Sequence, residues 1–238
     1  MQKNLKTQSQ YFNFDNLLKS KEGADIYSYT GWNGLNVSKL KITKGENLSS
    51  SYINSCFPEL EEKEKIFVIN EGCIEFESPK QKVLLKSYDA ADLASDEKNY
   101  KLNAINNSTA FMISSTGLNK FNDKTIFFNF KKDIKEKNLW GGQIISRPYE
   151  GKGLTLVLFD LKPGFKFEDK GHANEQITWL ISGKMDFYAN GKNKTLTSDI
   201  GVDIGPNHIH GGVSGGALGY DAFFPKREEI KYKTEEIL

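Results

Sequence analysis

The sequence predicts an all-β protein built from two copies of one strand-and-turn unit. Three observations carry this expectation. Runs of roughly four to eight β-branched and aromatic residues recur at close spacing, each bounded by Gly, Pro, Asn or Asp, which is the pattern of sandwiches and barrels. Helical patterning is scarce. The stretch 65–100, KIFVINEGCIEFESPKQKVLLKSYDAADLASDEKNY, also repeats the plan of 176–210, QITWLISGKMDFYANGKNKTLTSDIGVDIGPNHIH.

Taken along the chain, FDNLLKS (14–20) is a helix candidate, and DIYSYTGW (25–32) and LNVSKLKITKGE (35–46) read as strands. KIFVINEGCIEFES (65–78) is an apolar strand that stops at Gly72 and restarts, followed by KVLLKS (82–87), Asp89 and FMISSTG (111–117). STGLNKFNDKT is polar and interrupted, so a junction is expected near residues 116 to 128, dividing the chain into 1–118 and 119–238. TIFFNF (125–130) is a strand and the charged KKDIKEKN (131–138) a second helix candidate. LTLVLFDLKPG (154–164), ITWLISGKMDFYANGK (177–192, with Gly183), TLTSDIGVDIGP (195–206, with Asp199) and LGYDAFFP (218–225) complete the strands.

With 32 Lys+Arg against 31 Asp+Glu in 238 residues, no basic excess points to nucleic acid or an anionic membrane surface, and a small molecule is the expected ligand. The N-terminus lacks the apolar core of a signal peptide and no apolar run approaches the roughly 18 residues of a membrane span, so a cytoplasmic protein is expected. Cys56 and Cys73 form no CxxC or Cys/His spacing and read as reduced thiols.

All three histidines, His172, His208 and His210, fall in one short region. KGHANEQITWLISG (170–183) brings His172 close to Glu175 and Gln176, and PNHIH adds His210. Imidazole nitrogens with an amide or carboxylate oxygen suit a divalent transition metal. Strand alternation would turn Lys170 and His172 to the same side, and only one of the neighbours Glu175 and Gln176 inward. His208 reads as a loop histidine, with a ligand role as the alternative.

This arrangement resembles the cupins, and the duplication resembles a bicupin, two tandem cupin barrels in one chain. The first cupin motif, HxHxxxE/Q ahead of a strand and glycine, is matched by Lys170, His172, Gln176 and Gly183; the second by Pro206, Asn207 and His210. HANEQ, PNHIHGG and YDAFFPKREE are similar to the small pectin-degradation cupins that open the ring of unsaturated uronates. Asp221, Phe223, Pro225 and Arg227 fit the DxFxPxR segment of that family. The whole chain is similar in length and plan to the bicupin isomerase of bacilysin biosynthesis.

The resemblance implies a divalent metal (Zn, Ni, Mn or Fe) held by His172, Gln176 and His210 in the C-terminal barrel, with Glu175 outside and paired to Lys or Arg. It further implies isomerisation or tautomerisation of a small carboxylated sugar or keto acid. Arg227 would hold the carboxylate and Asp221 would move a proton, with Phe223 of the same segment counted among the site residues or else as core. Lys170 stands where the first histidine is expected and would hold a carboxylate, carry a proton or occupy the metal's place. The N-terminal barrel, with FPELEEKEK, Asn99 and Tyr100 at the matching places, is expected to bind no metal. Edge strands imply a homodimer. The competing readings are a catalytically inactive cupin that binds a sugar or small metabolite, and a cupin dioxygenase or lyase.

Overall fold

The computed structural model describes residues 9–20, 24–61, 63–115 and 122–227, so residues 116–121 of the expected junction lie outside the described residues. The protein is all-β: three antiparallel sheets and one α-helix, Ser50–Cys56, among them. Neither helix candidate forms a helix. FDNLLKS becomes a single 3-10 turn, Phe14–Asn16, and the strand Leu18–Ser20, while KKDIKEKN is a turn running into the strand Lys137–Leu139. The actual helix has no apolar periodicity to announce it. It starts because the Ser49 side chain accepts the Tyr52 N–H at 3.2 Å, an N-cap. No helix among the described residues is long and apolar enough to cross a membrane.

The first half forms a seven-stranded sheet centred on Lys65–Glu71, Ser108–Ser115 and Leu35–Ile42, and a four-stranded sheet of Asn47–Ser49, Lys101–Ala104, Cys73–Glu77 and Lys82–Lys86. The second half forms a nine-stranded sheet around two long strands, Glu175–Ala189 and His210–Phe224, whose pairing runs from Glu175↔Phe224 to Ala189↔His210. The glycine at which each repeat pauses has a backbone reason. Gly72 and Gly183 have φ of 91° and 79°, and a side chain on either would collide with backbone, of Asn107 and Ser108 or of Gly216. At Gly72 the chain leaves one sheet for another; at Gly183 a bulge bends one continuous strand.

The halves exchange strands. Gln10–Asn13 pairs with Ile200–Ile204 in the C-terminal sheet, and Ile126–Asn129 pairs with Asp89–Asp92 in the N-terminal sheet. This exchange explains the continuous apolar runs. Phe67 and Ile69 face the N-terminal interior, whereas Ile66 and Val68 enter a cluster drawn from both halves, with Phe14, Phe111, Phe130, Trp179 and Tyr220. A strand buried on both faces has no polar alternation to show. A third cluster, including Phe159, Leu180, Met185 and Phe187, belongs to the C-terminal half.

Each half also closes a buried acid pair of the other. The Glu175 carboxylate accepts the backbone N–H groups of Asn33 and Leu35 at 3.0 and 3.3 Å, and Asp203 accepts the Tyr29 hydroxyl at 3.0 Å. In mirror fashion Glu64 accepts from Lys152 and Gly153 at 2.7 and 2.9 Å, and Asp92 from Tyr149 at 2.7 Å. Tyr29 stacks on Phe12 (3.9 Å) and Tyr149 on Phe128 (4.0 Å). Gly31 and Gly151 approach the two glutamates so closely that a β-carbon on either would collide with the carboxylate. Glu175 is therefore a buried clasp between halves rather than an outward partner of Lys or Arg. Burial, reinforced by the neighbouring Asp92, raises Glu64 to about 7, and burial with the Glu175 charge raises Asp203 to about 8.

Candidate metal centre

Four short segments converge at one end of the C-terminal half. Strand Lys166–Asp169 alternates exposed Lys166 and Glu168 with half-buried Phe167 and Asp169, and its last residue lies directly opposite His210. Gly171 then breaks the strand with φ of 102° at a point where a side chain would strike the Asn207 backbone, and the Asn207 N–H donates to the His172 carbonyl at 2.6 Å. Gln176 and Thr178 face the same side of the following strand, opposite Phe223 and Asp221.

The donor atoms of Asp169, His172 and His210 lie within 4.8 Å of one another. The two imidazoles meet edge to face, centroids 5.4 Å apart at 87°. His172 Nε2 is 2.8 Å from Gln176 Oε1, and His172 Nδ1 is buried without a hydrogen-bond partner. His210 Nδ1 is 2.9 Å from the His208 carbonyl, an acceptor that fixes the proton on Nδ1 and leaves Nε2 as a lone-pair donor. Burial, with the Arg227 charge second, holds His172 down to about 4, and burial lowers His210 as well. Both rings are thus neutral, the form that ligates a cation.

These residues fit a divalent metal: two neutral imidazoles, one carboxylate and one amide oxygen. The 2.8 Å contact between His172 Nε2 and Gln176 Oε1 is a hydrogen bond that the amide oxygen accepts, which leaves the partnerless Nδ1 as the lone-pair atom of His172. The Gln176 amide is itself held. Its Nε2 donates to Thr178 Oγ1 at 2.9 Å and to Asp221 Oδ1 at 3.0 Å, while the Thr178 hydroxyl donates to the same Asp221 oxygen at 2.6 Å. Burial outweighs these donors and raises Asp221 to about 6.

Arg227 lies across the centre, with its guanidinium 3.7 Å from Asp169 Oδ2 and stacked over Phe223 at 5.0 Å; Phe223 packs edge to face on His172 at 5.5 Å. The structure thus brings His172, Gln176, His210, Asp221, Phe223 and Arg227 together. Lys170 is a correction to the expected inward pair. Its side chain is 73% exposed at the rim and forms an ion pair with Glu168, because the turn at Gly171 cancels the alternation between positions 170 and 172. His208 turns away as well, with Nδ1 3.0 Å from Ser9 Oγ. Asp169 was missed by motif spacing, although the alternation in KFED already marks it as inward.

The centre opens into a cavity of about 1420 Å³. Its walls combine Trp140, Ile144, Phe159, Leu161, Met185 and Phe187 with the polar side chains of Lys166, Glu168, Asp186, Tyr188, Asn193, Lys194 and Thr195. At the matching places the N-terminal half carries Lys65 and Tyr100. Lys65, aligned with Gln176, donates to the carbonyls of Leu60 and Glu61, and Tyr100, aligned with His210, stacks on Phe76 at 5.6 Å.

No family model matches this chain, and no curated protein matches it. Solved structures do. A cupin 2 conserved barrel domain protein from Leptotrichia buccalis superposes with a TM-score of 0.62 at 15% identity over 91% of this chain and 96% of that one. The E. coli protein Ylba gives 0.72 at 12% identity over 94% of each chain. An oxalate decarboxylase from Lactobacillus farciminis, in its formate complex, gives 0.67 at 9% identity over 90% of this chain and 86% of that one. The neighbours are cupin-fold proteins, and at these identities the likeness is one of fold.

Proposed function

We propose that the C-terminal half is a metal-dependent enzyme site that isomerises or tautomerises a small carboxylated substrate. The observation that carries this reading is the convergence of His172, His210 and Gln176 with the Arg227 guanidinium at the mouth of a large cavity. A bound divalent ion supplies a Lewis acid that lowers the cost of negative charge on substrate oxygens. Arg227, with its guanidinium over the Phe223 ring, can present a two-pronged donor to a carboxylate. Asp221 Oδ1 is occupied by Thr178 and Gln176, which leaves Oδ2 as the atom that takes or returns a proton. The cavity wall combines apolar with polar and charged side chains, which suits a keto acid or a carboxylated sugar. That the oxalate decarboxylase neighbour is in complex with formate supports a carboxylate ligand on this fold.

The first test is metal uptake by the purified protein. One divalent ion per chain is expected, and His210→Ala should weaken binding at least about tenfold. Metal content near zero, unchanged by added Zn, Ni, Mn or Fe, would defeat the proposal. The second test is the carboxylate contact. A keto acid identified by thermal shift should bind Arg227→Lys more weakly by about 1.5–3 kcal/mol, the range for hydrogen bonds to charged groups. Unchanged affinity in that variant, with metal still bound, would favour a binding module that does not use Arg227.

A further inference from the structure

We infer that Asp169 is a direct ligand of the metal, supplying the donor that a histidine at position 170 would have supplied. The inference rests on the metal-centre reading above and names a residue outside both sequence motifs. Asp169 ends its strand directly opposite His210, and its carboxylate belongs to the set whose donor atoms all fall within 4.8 Å. Its rotamer is held by the Gly171 N–H, which donates to Oδ1 at 2.8 Å, so the second oxygen is aimed rather than mobile.

That second oxygen already faces a cation, the Arg227 guanidinium at 3.7 Å. Lys170 is turned to the rim of the cavity, where it pairs with Glu168. Among Asp169, His172, Gln176 and His210, only Asp169 is anionic, so it alone offsets the ion's charge, and Arg227 competes with the metal for it. Two imidazoles with one carboxylate form a recognised set for divalent iron and its neighbours, with positions left open for a substrate.

The test uses full-length protein and Co(II), whose colour reports its ligands. In Asp169→Cys the thiolate should reach the ion, because the longer metal–sulfur bond of about 2.3 Å offsets the shorter side chain. A sulfur-to-cobalt charge-transfer band is then expected that wild type, with Cys56 and Cys73 present, does not show. Asp169→Asn keeps an acceptor for Gly171 but loses the charge, and should bind Co(II) at least about tenfold more weakly with an altered visible spectrum. Lys170→Ala should match wild type in both readings. If both Asp169 variants bind Co(II) with wild-type affinity and visible spectrum, and the cysteine variant shows no charge-transfer band, Asp169 lies outside the shell while the metal centre stands. If wild type takes up no Co(II), the metal centre itself falls and this inference with it. Should Asp169→Cys not bind the ion, the dissociation constant of Asp169→Asn decides.

Discussion

Trp179→Ala is expected to lower the unfolding free energy by about 3–5 kcal/mol, the range for emptying a buried aromatic site. Trp179 is fully buried in the cluster shared by the two halves, stacked on Tyr220 at 5.5 Å and tilted against Phe111 at 5.3 Å. Its indole Nε1 has no hydrogen-bond partner, so truncation orphans no polar group and the whole cost is lost packing. The same cluster includes Ile66, Phe111 and Ile177, contributed by both halves and held in strands of two sheets, which cannot collapse into the space without shifting strands. Guanidinium unfolding followed by circular dichroism measures the effect, with Trp179→Phe expected to retain most of the stability. A loss below about 1 kcal/mol would mean that the shared cluster does not join the halves.

The second large effect is in the pH dependence of stability. Asp203 is buried, one oxygen has no partner, and its value of about 8 stands far above the ordinary 3.8. Between about pH 4 and 8 the folded protein holds a proton that the unfolded chain has released, so stability is full below the unfolded value and falls as pH rises through the folded one. At about 1.4 kcal/mol for each step of one in pKa, the loss is on the order of several kcal/mol, shared with Glu175 beside it. Asp203→Asn keeps an oxygen for the Tyr29 hydroxyl and cannot ionise. It should resemble wild type near pH 4 and exceed it by roughly 2–4 kcal/mol at pH 9. Equal denaturation midpoints at pH 9 would show that the Glu175–Asp203 pair carries no such penalty. Asp92→Asn, from a value of about 6, should show the same sign with a smaller gain.

Both expectations depend on contacts between residues far apart in the chain, and this is where the sequence stopped being legible. The strand content, the repeat and its two glycines were readable, because periodicity and backbone conformation are local properties. Gln176 stands in the strand Glu175–Ala189 and His210 at the start of His210–Phe224, so strand period bears on both, whereas His172 lies in the connection before them. The helix Ser50–Cys56 was not, since its signal was a single serine cap, and the charged run KKDIKEKN imitated a helix only through composition. Lys170 was placed on the wrong side because alternation was carried through Gly171, whose positive φ ends the strand.

By itself, then, the sequence determined an all-β chain with a duplicated plan and a histidine-bearing second copy, properties written in nearest-neighbour sterics and hydrophobic period. Only the tertiary structure decided that Asp169 faces His210, that Glu64 and Glu175 clasp the opposite half, and that the first strand pairs with the last third of the chain. Those outcomes follow from burial and cross-strand register, which fix a residue's partner by where distant segments pack and not by what stands next to it.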